Sequence, residues 1–172
     1  MIACLDVDYR DTTAYAAAIT FREWLDATPA EEGVVAVSDV QPYEPGQFFR
    51  RELPCLLAVL RMLYGVAVVI VDGYVWLDDM RKPGLGAHLY RALNGQVAVI
   101  GVAKSKFREA HGACEVTRGA SIRPLYITAA GMDSEAAAQH IRSMHGCYRI
   151  PTLLKRVDCL CRSDRVAPNT TR

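Results

Sequence analysis

An α/β fold built on a mixed sheet is what this 172-residue sequence predicts, on three observations. The first 40 residues hold three β-compatible runs in succession, parted by short turn-like stretches, which reads as an antiparallel meander. Two later runs, 66–71 and 97–103, are apolar without alternation, the mark of strands buried on both faces. Stretches with apolar residues at helical spacing lie between and after them. The length fits one domain with a real core, and no repeat or low-complexity tract interrupts it.

The elements follow in order. Residues 2–9 form a first strand that ends in acids, Asp6 and Asp8. Residues 15–24 and 33–40 are the second and third strands, separated by a turn around Pro29 and Gly33. Residues 48–64 form a helix, with Phe49, Leu53, Leu56, Leu57, Leu60 and Leu63 on its apolar stripe and Pro54 near its start. The buried strand 66–71 stops at Asp72-Gly73. A short helix at 86–93 precedes the second buried strand, and residues 115–117 and 123–128 make a last strand pair. A helix over 134–145 has Asp133 or Ser134 as N-cap, and a final helix over 153–162 follows Pro151. Three strands followed by alternating helices and strands is the order of ribonuclease H-like folds. The domain is expected to span 1–166, with 167–172 a disordered polar tail.

No apolar run approaches the ~20 residues of a membrane-spanning helix, and no basic and apolar leader opens the chain, so a soluble, cytoplasmic protein is expected. The six cysteines read as reduced thiols: Cys4 and Cys55 sit in apolar segments, and Cys159-Leu160-Cys161 has no second pair to make a zinc site. Net charge is only +1, but it is uneven. Residues 1–44 carry nine acids against two bases, and residues 45–172 carry ten against eighteen. That asymmetry suits a basic face toward phosphates, and equally an uneven but ordinary surface.

Three carboxylates are placed where chemistry could occur. Asp6 ends the first strand, Asp72 ends the central buried strand, and Glu52 lies in the first turns of the intervening helix. The carboxyl ends of central strands form the ligand crevice of an open α/β sheet. Acids gathered there repel one another unless a cation joins them, and hard oxygen donors suit Mg2+ or Mn2+. Such a metal supports phosphodiester hydrolysis. The same residues also fit a plain Asp-Gly turn and a glutamate favoured by the helix dipole. The pattern alone reaches a metal site and stops there.

Five segments then resemble the endonuclease V family. Gln41-Pro42-Tyr43-Glu44-Pro45-Gly46 with Phe49-Arg50-Arg51-Glu52-Leu53-Pro54 is similar to its PYxPG and FRE-proline motif. Leu5-Asp6-Val7, Val71-Asp72-Gly73, Ile100-Gly101-Val102-Ala103-Lys104 and Tyr148-Arg149-Ile150-Pro151 with Arg156-Val157-Asp158 resemble four more, in order and at similar spacing from residue 2 to about 162. The resemblance implies a ribonuclease H-like endonuclease that cuts DNA or RNA 3′ of inosine or deoxyinosine, with a DNA repair role; a monomer is the default expectation. It also implies that Asp6, Glu52, Asp72 and Asp158 hold magnesium, and that Lys104 approaches the scissile phosphate. Pro42, Tyr43 and Gly46 match the wedge that replaces an extruded base in the stack, and Gly73, Gly84, Leu85, Gly86 and His88 the pocket that receives the base.

The sequence departs from that family at four places. It begins at the first strand, so the family's leading helix is expected to be absent. Tyr74-Val75-Trp76-Leu77-Asp78-Asp79 follow Gly73, where the family has histidine or asparagine and then glycine. Ala129-Ala130-Gly131 replaces a Gly-His, and Pro151-Thr152-Leu153 replaces P-E-P. Every candidate metal ligand is retained. The competing readings are another ribonuclease H-like nuclease and an inosine-binding module without turnover.

Overall fold

The structure, a computed structural model, describes residues 1–38, 40, 47–108, 110 and 112–163. The expected meander is present as β1 (Ile2–Arg10), β2 (Thr13–Phe21) and β3 (Glu31–Val37), paired antiparallel. Asp11, at φ +52°, supplies the left-handed residue of the tight β1–β2 turn. β2 ends at Phe21, three residues earlier than the apolar pattern suggests. The Asp26 carboxylate accepts the Arg22 and Glu23 amides, each at 3.0 Å, and turns the chain out of the sheet. Trp24 stacks flat on His140 instead, with ring centroids 4.2 Å apart.

The chain continues through α1 (Phe48–Leu60), β4 (Val68–Asp72), α2 (Leu85–Ala92), β5 (Ala98–Ala103), β6 (Cys114–Val116), β7 (Leu125–Ala130), α3 (Ser134–Ser143) and α4 (Thr152–Cys161). The seven strands lie in the order β3-β2-β1-β4-β5-β7-β6, with β1, β4 and β5 parallel at the centre and the rest antiparallel. This is the mixed α/β sheet expected. α1 is four residues shorter than its apolar stripe, and Gly65 at φ +64° turns the chain into β4. Pro54 is the seventh residue of α1, not part of its first turn, and it faces solvent. At α3 the cap is Asp133, whose Oδ1 accepts the Ala136 amide at 3.0 Å.

The period-2 alternation of the central strands separates two cores. Ile2, Cys4, Ile70, Ile100 and Val102 pack on the face covered by α3 and α4. Ala3, Leu5, Val69, Val71 and Val99 pack on the face covered by α1 and α2. No helix among the described residues is long and apolar enough to cross a membrane.

Above the end of β4 the chain crosses closely over β5 at Gly101. A Cβ there would lie 2.6 Å from the Gly73 carbonyl oxygen and 2.8 Å from the Val75 nitrogen, both backbone atoms that cannot step aside. Gly101→Ala is therefore expected to lose about 1–3 kcal/mol of stability. Chemical denaturation checks this, and an unchanged midpoint would show that the crossing is loose.

Candidate active site

The strand alternation carries straight into the site. Asp6, Asp72 and Lys104 are the next residues in phase after Cys4, Ile70 and Val102, so they belong to the face of the sheet that α4 covers. Leu5 pairs with Val71 and Val71 with Gly101, which sets Asp6 beside the ends of β4 and β5. Asp6 does not end its own strand as expected but lies mid-way along β1, where the pairing with β4 stops and that with β2 runs on to Arg10. α4 adds Asp158, and these four side chains line one cavity of about 150 Å³ floored by Leu5, Val71 and Val102. Glu52 comes from the other side of the sheet, on α1, and is buried to 6 % exposure.

The electrostatics show how crowded the carboxylates are. Burial raises the Glu52 carboxyl to about 8, and the charges of Asp6 and Asp72 push the same way. Burial likewise raises Asp6 to about 6, against the lowering effect of the Val7 amide on its Oδ1 at 2.9 Å; Asp72 and Asp158 raise it further. At Asp158 burial is outweighed by Lys155 at 2.6 Å and Arg162 at 2.9 Å, so its carboxyl falls below the usual range. Lys104 Nζ donates to Asp72 Oδ2 at 2.5 Å. Although burial works against its charge, that bond and the charges of Asp72, Asp6 and Asp158 raise the ammonium's pKa.

All-oxygen donors of this kind fit a hard divalent cation, and Glu52 Oε2 is a buried acceptor without a hydrogen-bond partner. Asp6, Asp72 and Asp158 of the expected set share the cavity and Glu52 lies within electrostatic reach of Asp6 and Asp72, although among the described residues no three His, Cys, Asp or Glu side chains form a ready-made metal cluster. Asp72 turns to Lys104, and Asp158 to Lys155 and Arg162, which offset charge that the other carboxylates cannot.

The expected base pocket is corrected in part. Gly84, Leu85 and Gly86 are buried, and the two glycine amides donate to the Val75 and Tyr74 carbonyls at 2.8 and 3.1 Å. A Cβ on Gly84 would lie 2.4 Å from the Tyr74 oxygen, and one on Gly86 2.7 Å from Val75 Cγ2. These glycines admit the chain's own backbone, so their amides are not offered to a base. His88 stacks on Phe49 with ring centroids 3.6 Å apart, joining α2 to α1, and Gly73 remains beside Asp72 at φ +111°. The wedge residues Pro42, Tyr43 and Gly46, like the tail 167–172, lie outside the described residues.

Two side chains that sequence reasoning gave no role hold the backbone behind Lys104. The Arg149 guanidinium donates to the Lys104 carbonyl and to the Pro124 carbonyl. The Tyr74 hydroxyl donates to the Ser105 carbonyl at 2.9 Å and accepts the Phe107 amide at 3.0 Å. Arg149 stood inside a recognised motif, which was a usable signal. For Tyr74 the only signal was its place among the departures after Gly73.

Comparison with known proteins identifies relatives in both sequence and fold. The family model for endonuclease V matches residues 1–159. An endonuclease V of Streptomyces avermitilis is 31 % identical, with 90 % of this chain and 75 % of that protein covered, and one of Streptomyces coelicolor is 30 % identical over 91 % and 74 %. The crystal structure of the S. avermitilis enzyme superposes with a TM-score of 0.74 at 28 % identity, covering 94 % of this chain and 79 % of that one. A Ciona intestinalis endonuclease V, in complex with a 23mer DNA containing an inosine followed by a ribo-adenosine, shares the fold at a TM-score of 0.79 and 18 % identity, covering 94 % and 83 %.

Proposed function

The chain belongs to the endonuclease V family and is a nuclease, and on that premise we propose that it hydrolyses the phosphodiester bond 3′ of a deaminated purine, chiefly hypoxanthine, in a DNA repair role. The observation that carries the reading is the convergence of Asp6, Asp72, Lys104 and Asp158 on one cavity, backed by the buried, unpartnered Glu52 oxygen. Inosine-containing DNA bound by a relative of the same fold supports the choice of substrate.

Asp6, Glu52, Asp72 and Asp158 are the groups that would hold magnesium, with manganese a substitute. A cation bound there lowers the pKa of a water and offsets charge on the phosphate. The chain's own part is positional and electrostatic. Asp72 keeps the Lys104 ammonium at the mouth of the cavity, 2.5 Å from its carboxylate, where the cation can stabilise negative charge growing on the phosphate oxygens. Val102, Leu154 and Val157 line the cavity with apolar surface beside these charges. Lys104→Ala is expected to lower kcat by about 10²–10³-fold with KM little changed, because the contact matters most in the transition state. Steady-state kinetics check this, and a rise in KM alone would make Lys104 a binding residue.

The deciding experiment presents inosine-containing and unmodified strands, as DNA and as RNA, with and without magnesium. Magnesium-dependent nicking 3′ of inosine, absent in Asp72→Ala, is the expected result. Binding of inosine without cleavage by folded protein would indicate a recognition module, and neither would redirect the fold to another substrate.

A further inference from the structure

The geometry points to Tyr74 as a positioning residue that acts through Lys104. It stands where the chain leaves the family pattern, immediately after Asp72-Gly73, and its ring is buried to 8 % exposure against Ala103 and Ala110. From there its single hydroxyl closes two bonds onto the loop that carries Lys104: it donates to the Ser105 carbonyl at 2.9 Å and accepts the Phe107 amide at 3.0 Å. Arg149 holds the Lys104 carbonyl from the other side. Three closely spaced attachment points, at residues 104, 105 and 107, thus fix a loop that leaves β5 without regular structure.

Tyr74 touches neither the cavity nor Lys104 Nζ, so its influence on chemistry passes through backbone placement. Tyr74 lies on the segment of one partner of the Lys104–Asp72 contact and bonds to that of the other: it follows Asp72 by two residues and binds the loop one residue beyond Lys104. The hydroxyl therefore couples the end of β4 to the loop after β5, and keeps carboxylate and ammonium in fixed relation. A displacement of about 1 Å at such a contact can cost on the order of 10²-fold in rate.

This inference rests on the reading of the site given above, and its test separates the two. Tyr74→Phe keeps the buried ring and removes only the hydroxyl. Cleavage of an inosine-containing DNA strand with magnesium should lose about tenfold in kcat with KM within about twofold. In a Lys104→Ala background the same change should cost less than about twofold, because its target is gone. By NMR of the uncomplexed protein, the Lys104 side chain should become more mobile and the Phe107 amide should exchange faster in Tyr74→Phe. An unchanged kcat, or losses that multiply in the double variant, would overturn the positioning role. If the wild type cut no inosine strand, the proposed substrate would fall, while the NMR comparison still decides: an unchanged Lys104 side chain and Phe107 amide would overturn the inference.

Discussion

Glu52→Gln is expected to produce a protein that is more stable above neutral pH and has lost turnover. The Glu52 carboxyl sits at about 8 in the folded state against an ordinary value of 4.5, raised by burial and then by Asp6 and Asp72. Between those values the folded state keeps a proton that the unfolded chain has released, so stability falls as pH climbs from about 4.5 to about 8. At pH 7 the penalty is on the order of 3 kcal/mol. Glutamine stays neutral throughout, so the variant should match the wild type near pH 4.5 and exceed it increasingly toward pH 8. Urea denaturation across that range reads the difference, and parallel pH profiles for the two proteins would sink the claim. Magnesium supplies an independent check. It should stabilise the wild type more at pH 8 than at pH 5, where a proton competes with it, and stabilise Glu52→Gln little at either. Turnover should drop by at least about 10³-fold, since the amide cannot replace a charged ligand.

That trade between stability and function bears on what the sequence could reveal. Asp6 and Asp72 were legible as acids at the crevice side of the sheet, whereas Lys104 was picked out only by its motif; the period of two that buries Cys4, Ile70 and Val102 is what puts all three on one side. The meander was legible from its β-compatible runs and the turns between them, and the two central strands from their continuous apolar runs. Glu52 was different. Its helix covers the opposite face, and no periodicity brings an α1 side chain into reach of β1 and β4; its place just before the central strand made it a candidate, and the motif around it supplied its metal role. At Gly84 and Gly86 a missing Cβ signals close approach without saying of what. Here the approaching group is the Tyr74–Val75 backbone. Strand ends were misjudged where a single polar group overrides the apolar pattern, as Asp26 does at the end of β2.

Asp72→Ala tests whether the site works as a unit. The substitution removes a carboxylate from the cavity and at the same time releases Lys104 from its 2.5 Å contact. Loss of at least about 10³-fold in kcat/KM is expected, exceeding that of Lys104→Ala. The double variant should be scarcely worse than Asp72→Ala alone, since residues acting on one phosphate are not additive. Folding should survive, because the Asp72 side chain is 41 % exposed and its removal relieves repulsion at Asp6 and Glu52. The affinity for an uncut inosine strand without magnesium should rise, as one repelling charge is gone and an ammonium is freed toward the phosphate. A variant that kept a tenth of wild-type turnover would remove Asp72 from the chemistry. One that lost turnover and strand binding together would point instead to a collapsed crevice. Tighter binding with no cleavage is the combination that only a charge-crowded, cation-dependent site produces.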